Sequence, residues 1–288
     1  PFLIDNDTPK KLVSEARLTS AKAGTAALDL TRPLVIYSRY DLNNMLLQRA
    51  EKAGAPIEKT RALAIERAGK GWRLKTRHGD LEADYCVVAT GARNALRDVG
   101  TEWSSANTMT ALGYYIPVDQ DHVDIEFFPK FAGYLWIFPR NGHLSAGICA
   151  KGVPAHALRE RLETYLRNRN ISLKDAKYYG HIIPSLERPD WGANRVSGDG
   201  WAAVGDAAGF VDPMTGEGLY YAIRSADLAA SVILKESPKP VEDYVAALRR
   251  EFTEDLELAS RLAKRLYLGR FLYSDVPARM IQFMHRSP

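Results

Sequence analysis

The stretch Trp201–Ala230, WAAVGDAAGFVDPMTGEGLYYAIRSADLAA, constrains the fold more than any other part of the chain. It runs from a short apolar strand into Gly205-Asp206, passes Pro213, Thr215 and Gly216-x-Gly218, and ends in a helix that starts near Gly216. An ordinary strand–turn–helix connection needs one turn signal, and this one carries several. A helix start presents unpaired N–H groups and the positive end of the helix dipole. Gly216 and Gly218 remove side chains there, so a flat or anionic ligand can lie against backbone amides. Asp206 ends the strand, where its carboxylate can accept hydrogen bonds from ligand hydroxyls. Taken singly, each residue reads equally as a cap or a turn. The ordered set reads as a loop shaped around a ligand.

The rest of the chain supplies the frame. Residues 1–33 read as irregular and polar. PLVIY (33–37) reads as a strand and 38–55 as a helix with Leu42, Leu46, Leu47 and Ala50 on one face. Short strands follow, the last carrying the apolar run CVVAT (86–90), of the kind found in strands covered on both faces. From 108 to 149 four strands with short connections predict an antiparallel meander. A helix over 154–168, an irregular Pro-rich segment over 182–200, the strand WAAVG and helices from 216 onward complete the pattern.

The fold expected is α/β, α+β overall. Residues 1–98 and 195–235 form one discontinuous domain in which CVVAT and WAAVG share a sheet. Residues 99–194 form an inserted antiparallel domain, and 236–288 a C-terminal helical region.

Composition narrows the class. With 288 residues, 46% hydrophobic and 26% charged, the chain is an ordinary globular one, and a net charge of +4 is too small to argue for nucleic acid. Cys86 and Cys149 lie in apolar runs without metal-ligand spacing, which fits a reducing, cytoplasmic compartment. No apolar run approaches the ~18 residues of a membrane span. SRLAKRLYLGRFLY (260–273) reads either as a helix packed on the body or as an amphipathic face that meets a bilayer peripherally.

VGDAAGFVDPMTGEGLYYAIRSA resembles the second FAD-binding signature of the flavoprotein monooxygenase and geranylgeranyl reductase superfamily. The resemblance implies a Rossmann-like FAD-binding domain, with Gly205-Asp206 at the ribityl chain and Pro213 to Gly218 bordering the isoalloxazine. DYCVVATGARNALR (84–97) resembles the superfamily strand that ends in Ala-Thr-Gly, which brings Thr90 and Gly91 close to the cofactor. YSRYDLNNMLLQRAEKAGA (37–55) resembles its Arg-x-x-Leu helix, giving Arg39 to the FAD phosphates or ribose; a surface Arg39 paired with an acid is the equal reading from the residues alone.

YLWIFPRNGHLSAGIC (134–149) points to a subfamily. Alternation places Tyr134, Trp136 and Phe138 on one face of a strand, either as an apolar wall or as a packed aromatic core. Geranylgeranyl reductases carry Tyr-x-Trp-x-Phe-Pro, a spacer, then Gly-x-Gly. Here Tyr134, Trp136, Phe138 and Pro139 match, residues 140–146 form the spacer, Gly147 matches, and Cys149 replaces the second glycine. The resemblance implies reduction of isoprenoid double bonds by reduced flavin, recharged by NAD(P)H or another donor. No side chain stands out as the catalytic acid, and His143 reads as an exposed turn residue.

Two alternatives stay open. A flavin monooxygenase or halogenase would consume oxygen when reduced without substrate, and a non-catalytic remnant acting as a lipid-binding or scaffold protein would be colourless. The superfamily opens with a strand–GxGxxG–helix unit for the ADP half of FAD, and no such motif occurs here. Pro as residue 1 favours a trimmed piece over a natural degenerate form, and only a real absence of the unit would be expected to make FAD bind poorly.

Overall fold

A computed structural model describes residues 4–20, 24–96 and 99–268. In chain order its elements begin with β1 (Lys10–Ser20), β2 (Gly24–Tyr37), α1 (Arg39–Lys52), β3 (Ala62–Ala68), β4 (Gly71–Thr76), β5 (Gly79–Ala83) and β6 (Cys86–Val88). Then come β7 (Thr108–Ile116), β8 (His122–Phe127), β9 (Gly133–Arg140), β10 (His143–Ala150), α2 (Ala155–Asn168) and β11 (Lys177–Pro184). α3 (Arg188–Ala193), β12 (Ser197–Gly198), β13 (Trp201–Ala203), α4 (Leu219–Leu234), α5 (Pro240–Leu248) and α6 (Glu254–Leu268) complete the series. Among the described residues, no helix is long and apolar enough to cross a membrane.

The described residues divide into two compact units, one within 1–58, 110–181 and 266–268, the other within 59–109 and 182–265. This corrects the boundaries drawn from the sequence. Residues 1–58 go with the antiparallel sheet, because β1 and β2 extend that sheet at its β8 edge, and 236–265 go with the second unit.

The first unit is built on a seven-stranded sheet of order β11-β7-β10-β9-β8-β1-β2. Residues 10–37, expected to be largely irregular, are a long antiparallel ribbon. Its alternation is hidden by a β-bulge between Val13 and Glu15, which brings Val13 and Ala16, three apart, to the same buried cluster. The expected meander is also only partly met. β8, β9 and β10 are sequential neighbours, but β7 pairs with β10 instead of β8. Ile116, Leu144 and Pro139 lie in line across the sheet and the β8–β9 register runs on towards His122, so residues 117–121 cross three strand spacings, about 14 Å, within the reach of so many extended residues.

One face of this sheet is sealed by α2. Its Leu158, Leu162 and Leu166, spaced four apart on one stripe, are fully buried against Leu112, Ile116, Leu135, Ile137, Leu144 and Ile148. Along β9 burial alternates strictly, with Leu135 and Ile137 buried and Tyr134, Trp136 and Phe138 half-buried. The three aromatics therefore lie on the face away from α2.

In the second unit β6 pairs in parallel with β13, Val88 beside Ala203, so CVVAT and WAAVG share a sheet as expected. β3, β4 and β5 form a separate antiparallel sheet. The core gathers Trp72, Val88, Ala203, Phe210, Tyr244 and Phe252, and the fully buried Tyr244 hydroxyl donates to the Ala203 carbonyl at 2.9 Å.

Because Leu162 sits at the middle of the α2 seal with no exposed surface, Leu162→Ala should destabilise the protein by about 2–5 kcal/mol. The urea midpoint of unfolding checks this, with the slope expected to stay unchanged.

Candidate functional site

The second unit places two loop entrances side by side. Ala89-Thr90-Gly91 leave the carboxyl end of β6, and Val204-Gly205-Asp206 leave the carboxyl end of β13, the two parallel neighbours joined by a hydrogen bond from Val204 N to the Val88 carbonyl at 3.0 Å. In open α/β sheets ligands lie outside the carboxyl ends of strands. Gly91 adopts φ +74° and a side chain there would meet nothing within 4 Å, so its backbone borders open space. Thr90 is exposed, its hydroxyl 3.4 Å from the Asn94 Oδ1.

The surplus of turn residues after β13 divides into two groups. Gly205 and Gly209, both at positive φ, are packing glycines: a Cβ at Gly205 would come within 3.0 Å of Ala222 on α4, and one at Gly209 within 2.8 Å of Leu186. Between them Gly205–Ala208 make one 3₁₀ turn. The Asp206 carbonyl is held by Gly209 N at 3.0 Å and by the Trp103 indole at 3.1 Å.

Gly216 and Gly218 have a different role. Gly216 sits at φ +71°, and a Cβ at Gly218 would come within 3.2 Å of the Asp206 Oδ1. The Asp206 carboxylate therefore lies against bare backbone at the start of α4, where Gly218 is the cap residue and supplies no side-chain cap.

The residue that shapes this loop is one that the sequence did not single out. Asp212 Oδ1 accepts from Met214 N at 2.7 Å and Thr215 N at 3.4 Å, its carbonyl accepts from Gly216 N at 2.8 Å, and its N–H donates to the Glu217 carbonyl at 2.9 Å. Such Asx contacts are the ordinary device of an Asp-Pro turn, so D-P-x-x-G was the available signal. The helix start is also less open than expected, since Glu217 Oε1 accepts from Tyr220 N at 3.0 Å and the Thr215 hydroxyl accepts from Glu217 N at 3.2 Å. Pro213, expected to border a ligand, is buried.

The residues present fit a ligand with a polyhydroxylated chain and a flat ring, such as FAD. They offer a carboxylate at a strand end, a glycine without a Cβ beside it, and a left-handed glycine beside open space.

In the first unit, Tyr134, Trp136 and Phe138 form a continuous strip, with ring centroids 5.8 and 6.3 Å apart. Phe127, opposite Tyr134 in register, extends it. The rings are half-buried rather than enclosed, and Phe138 also packs on the Val13–Ala16–Val123 cluster. Gly147 stands opposite Trp136, and a Cβ there would collide with the indole. Cys149, in place of the second motif glycine, stands opposite Tyr134 and is fully buried. Pro139 falls on the other face by alternation and is buried, so its assignment to the wall is corrected.

The same face carries residues not foreseen from the sequence. Tyr115 and Tyr179 stack at 4.5 Å, and the Tyr179 hydroxyl is 2.9 Å from Ser145 Oγ. Burial pushes the Tyr179 phenol up to about 12, so it stays protonated. Nothing local in KYYGH shows which strand it joins. His143 opens β10 and packs edge-on against Tyr115 at 5.5 Å. Arg39, the first residue of α1 behind the Ser38 cap, is exposed.

The chain matches no protein-family model. It is 30% identical over 217 residues to the menaquinone reductase of Mycolicibacterium smegmatis, covering 67% of this chain and 52% of that protein. It is 29% identical over 215 residues to digeranylgeranylglycerophospholipid reductase 2 of Methanothermobacter thermautotrophicus, covering 68% and 54%. A solved geranylgeranyl bacteriochlorophyll reductase-like protein of Thermoplasma acidophilum superposes with a TM-score of 0.76 over 96% of this chain and 76% of that one, at 22% identity.

The chain is similar in sequence to menaquinone and geranylgeranyl-lipid reductases. Its fold is that of FAD-dependent oxidoreductases, shared at lower similarity by a flavin-dependent brominase, TM-score 0.61 and 14% identity. The chain spans about half the length of these two curated relatives.

Burial pushes the Cys149 thiol up to about 12. The raised value contributes stability that is complete below the ordinary thiol range and is lost as pH climbs from about 9 towards about 12, because the unfolded chain releases the proton first. Iodoacetamide should leave Cys149 unmodified at pH 9 until the protein unfolds. Cys149→Ala should flatten the early part of the alkaline loss of stability, read by urea unfolding at pH 8 and pH 10.

Proposed function

We propose that the chain belongs to a flavin-dependent reductase that adds hydrogen across isoprenoid double bonds, with FAD held in the second unit at the carboxyl ends of β6 and β13. The observation that carries the reading is the aromatic strip of Tyr134, Trp136 and Phe138, half-buried while the alternate positions of the same strand are buried. Three rings in register offer an elongated apolar surface, and burial of each CH₂-sized group of a prenyl chain against it contributes about 0.8 kcal/mol. The names of the relatives, reductases of menaquinone and of geranylgeranyl lipids, support the same substrate class.

Bound FAD, once reduced, supplies the hydride. The protein's part is to hold and orient. Asp206 accepts hydrogen bonds from the ribityl hydroxyls, Gly91, Gly216 and Gly218 let the ring approach backbone, and the strip aligns the chain. NAD(P)H or another donor supplies the electrons. The halogenase and monooxygenase alternative draws support from fold likeness alone, whereas the reductase reading has both sequence and fold relatives.

Asp206→Ala should weaken flavin binding by about 1–3 kcal/mol through loss of charge-assisted hydrogen bonds. Unchanged affinity in a fluorescence titration would remove Asp206 from the site. Trp136→Ala should raise the apparent KM for a long prenyl substrate more than it changes flavin affinity. Because the indole is only half-buried, its thermal cost should fall below the about 3–5 kcal/mol of a buried aromatic truncation. A large fall in Tm with unchanged kinetics would make the strip a core element.

A further inference from the structure

We infer that Arg140, with the stacked Tyr115 and Tyr179 beside it, forms a receptor for a phosphate-type oxyanion at the end of the aromatic strip. The receptor itself stands on the geometry of the first unit. Only its use as a lipid head-group site rests on the proposed function.

The alternation that sets Tyr134, Trp136 and Phe138 on one face carries Arg140 to the same face, two residues further along β9. His143 stands opposite it across the hairpin. The Arg140 side chain is largely withdrawn from water. One of its terminal nitrogens donates to the Tyr37 carbonyl, while its Nε is buried without a hydrogen-bond partner among the described residues. Burial and the positive charge of Arg39 both oppose its ionisation, and the groups that favour it are the Tyr115 and Tyr179 phenols, not a carboxylate.

A guanidinium in such surroundings is unfavourable without a counter-charge. Its planar fork of donors matches two oxygens of a phosphate, which a point-charge ammonium cannot do as well. Two of its neighbours, Tyr115 and His143, line a cavity of about 290 Å³ whose other walls are Pro117, Asp175 and Lys177. Lys177 is the cation of that cavity, against the carboxylate of Asp175.

From Trp136 to Arg140 the strand covers four residues, about 13 Å at about 3.3 Å per residue. A ligand on this face thus meets aromatic surface first and a buried cation at one end. That pattern suits a prenyl chain with a phosphate or diphosphate head. The same chemistry is offered by the diphosphate of a dinucleotide or by free phosphate.

Calorimetric titration separates these sources, using wild type, Arg140→Gln and Arg140→Lys that keep native circular dichroism and cooperative unfolding. The probes are inorganic pyrophosphate, geranylgeranyl diphosphate against geranylgeraniol, and FAD against riboflavin. Pyrophosphate should bind wild type and bind Arg140→Gln at least tenfold more weakly, with Arg140→Lys between them. If the oxyanion is a lipid head, geranylgeranyl diphosphate outbinds geranylgeraniol at least tenfold in wild type, and Arg140→Gln abolishes that preference while FAD affinity is kept. If it is the dinucleotide's diphosphate, Arg140→Gln instead erases the preference for FAD over riboflavin.

No pyrophosphate binding to wild type, or equal binding to Arg140→Gln, overturns the receptor. Retained pyrophosphate binding with no affinity for either prenyl probe leaves the receptor standing and counts against the proposed substrate class. Should Arg140→Gln not fold, Arg140→Lys carries the test, and binding as tight as wild type overturns the proposal, since lysine keeps the charge but not the fork.

Discussion

Three leucines on α2 decide what the seven-stranded sheet can do. Leu158, Leu162 and Leu166 seal one of its faces against the aliphatic positions of β7, β9 and β10. Strand side chains alternate, so every residue that satisfies the seal commits its neighbours to the other face. Leu135 and Ile137 point to the helix, and Tyr134, Trp136, Phe138 and Arg140 cannot. A slip of one residue would send the aromatics into the core and the aliphatics out, which the volume available under α2 forbids. The strip is thus a consequence of packing on the far side, and Gly147 completes it by leaving room for the Trp136 indole.

The second unit follows a different constraint. Two short parallel strands end together, and the chain must leave both ends without crowding them. Gly205 and Gly209 answer the packing demand of α4 and Leu186. Asp212 ties the following loop by its carboxylate, carbonyl and amide, and Gly218 at the end of that loop stands beside Asp206. Backbone exposed by missing side chains next to an oriented carboxylate is what a hydroxyl-rich, flat cofactor needs. The relationship to the geranylgeranyl and menaquinone reductases accords with that reading, over about half of their length.

Local pattern made much of this legible. The parallel pairing of CVVAT with WAAVG, the α2 helix expected over 154–168 and found at Ala155–Asn168, and the common face of the three aromatics follow from periodicity and turn residues. What stayed hidden depends on contacts distant in sequence. The bulge at Val13/Glu15 breaks the alternation by which β1 would have been read. The pairing of β7 with β10 is set by a five-residue crossing that looks like a turn. Pro139 belongs to the strip's motif but to the sheet's other face, and Tyr179 reaches Tyr115 and Ser145 only once β11 has joined the sheet edge. Arg140 is an ordinary spacer residue until its buried Nε, without a partner among the described residues, is seen.

The central claim is that the chain serves hydrogen transfer to an isoprenoid double bond. The most direct measurement is anaerobic incubation of the purified, flavin-loaded protein with a chemical reductant and a geranylgeranyl lipid, followed by mass spectrometry of the lipid. The account predicts products heavier by two hydrogens for each double bond reduced, and their loss in Trp136→Ala at low substrate concentration. Fully loaded flavin with the lipid's mass unchanged, or a lipid that gains oxygen when air is admitted, would contradict it.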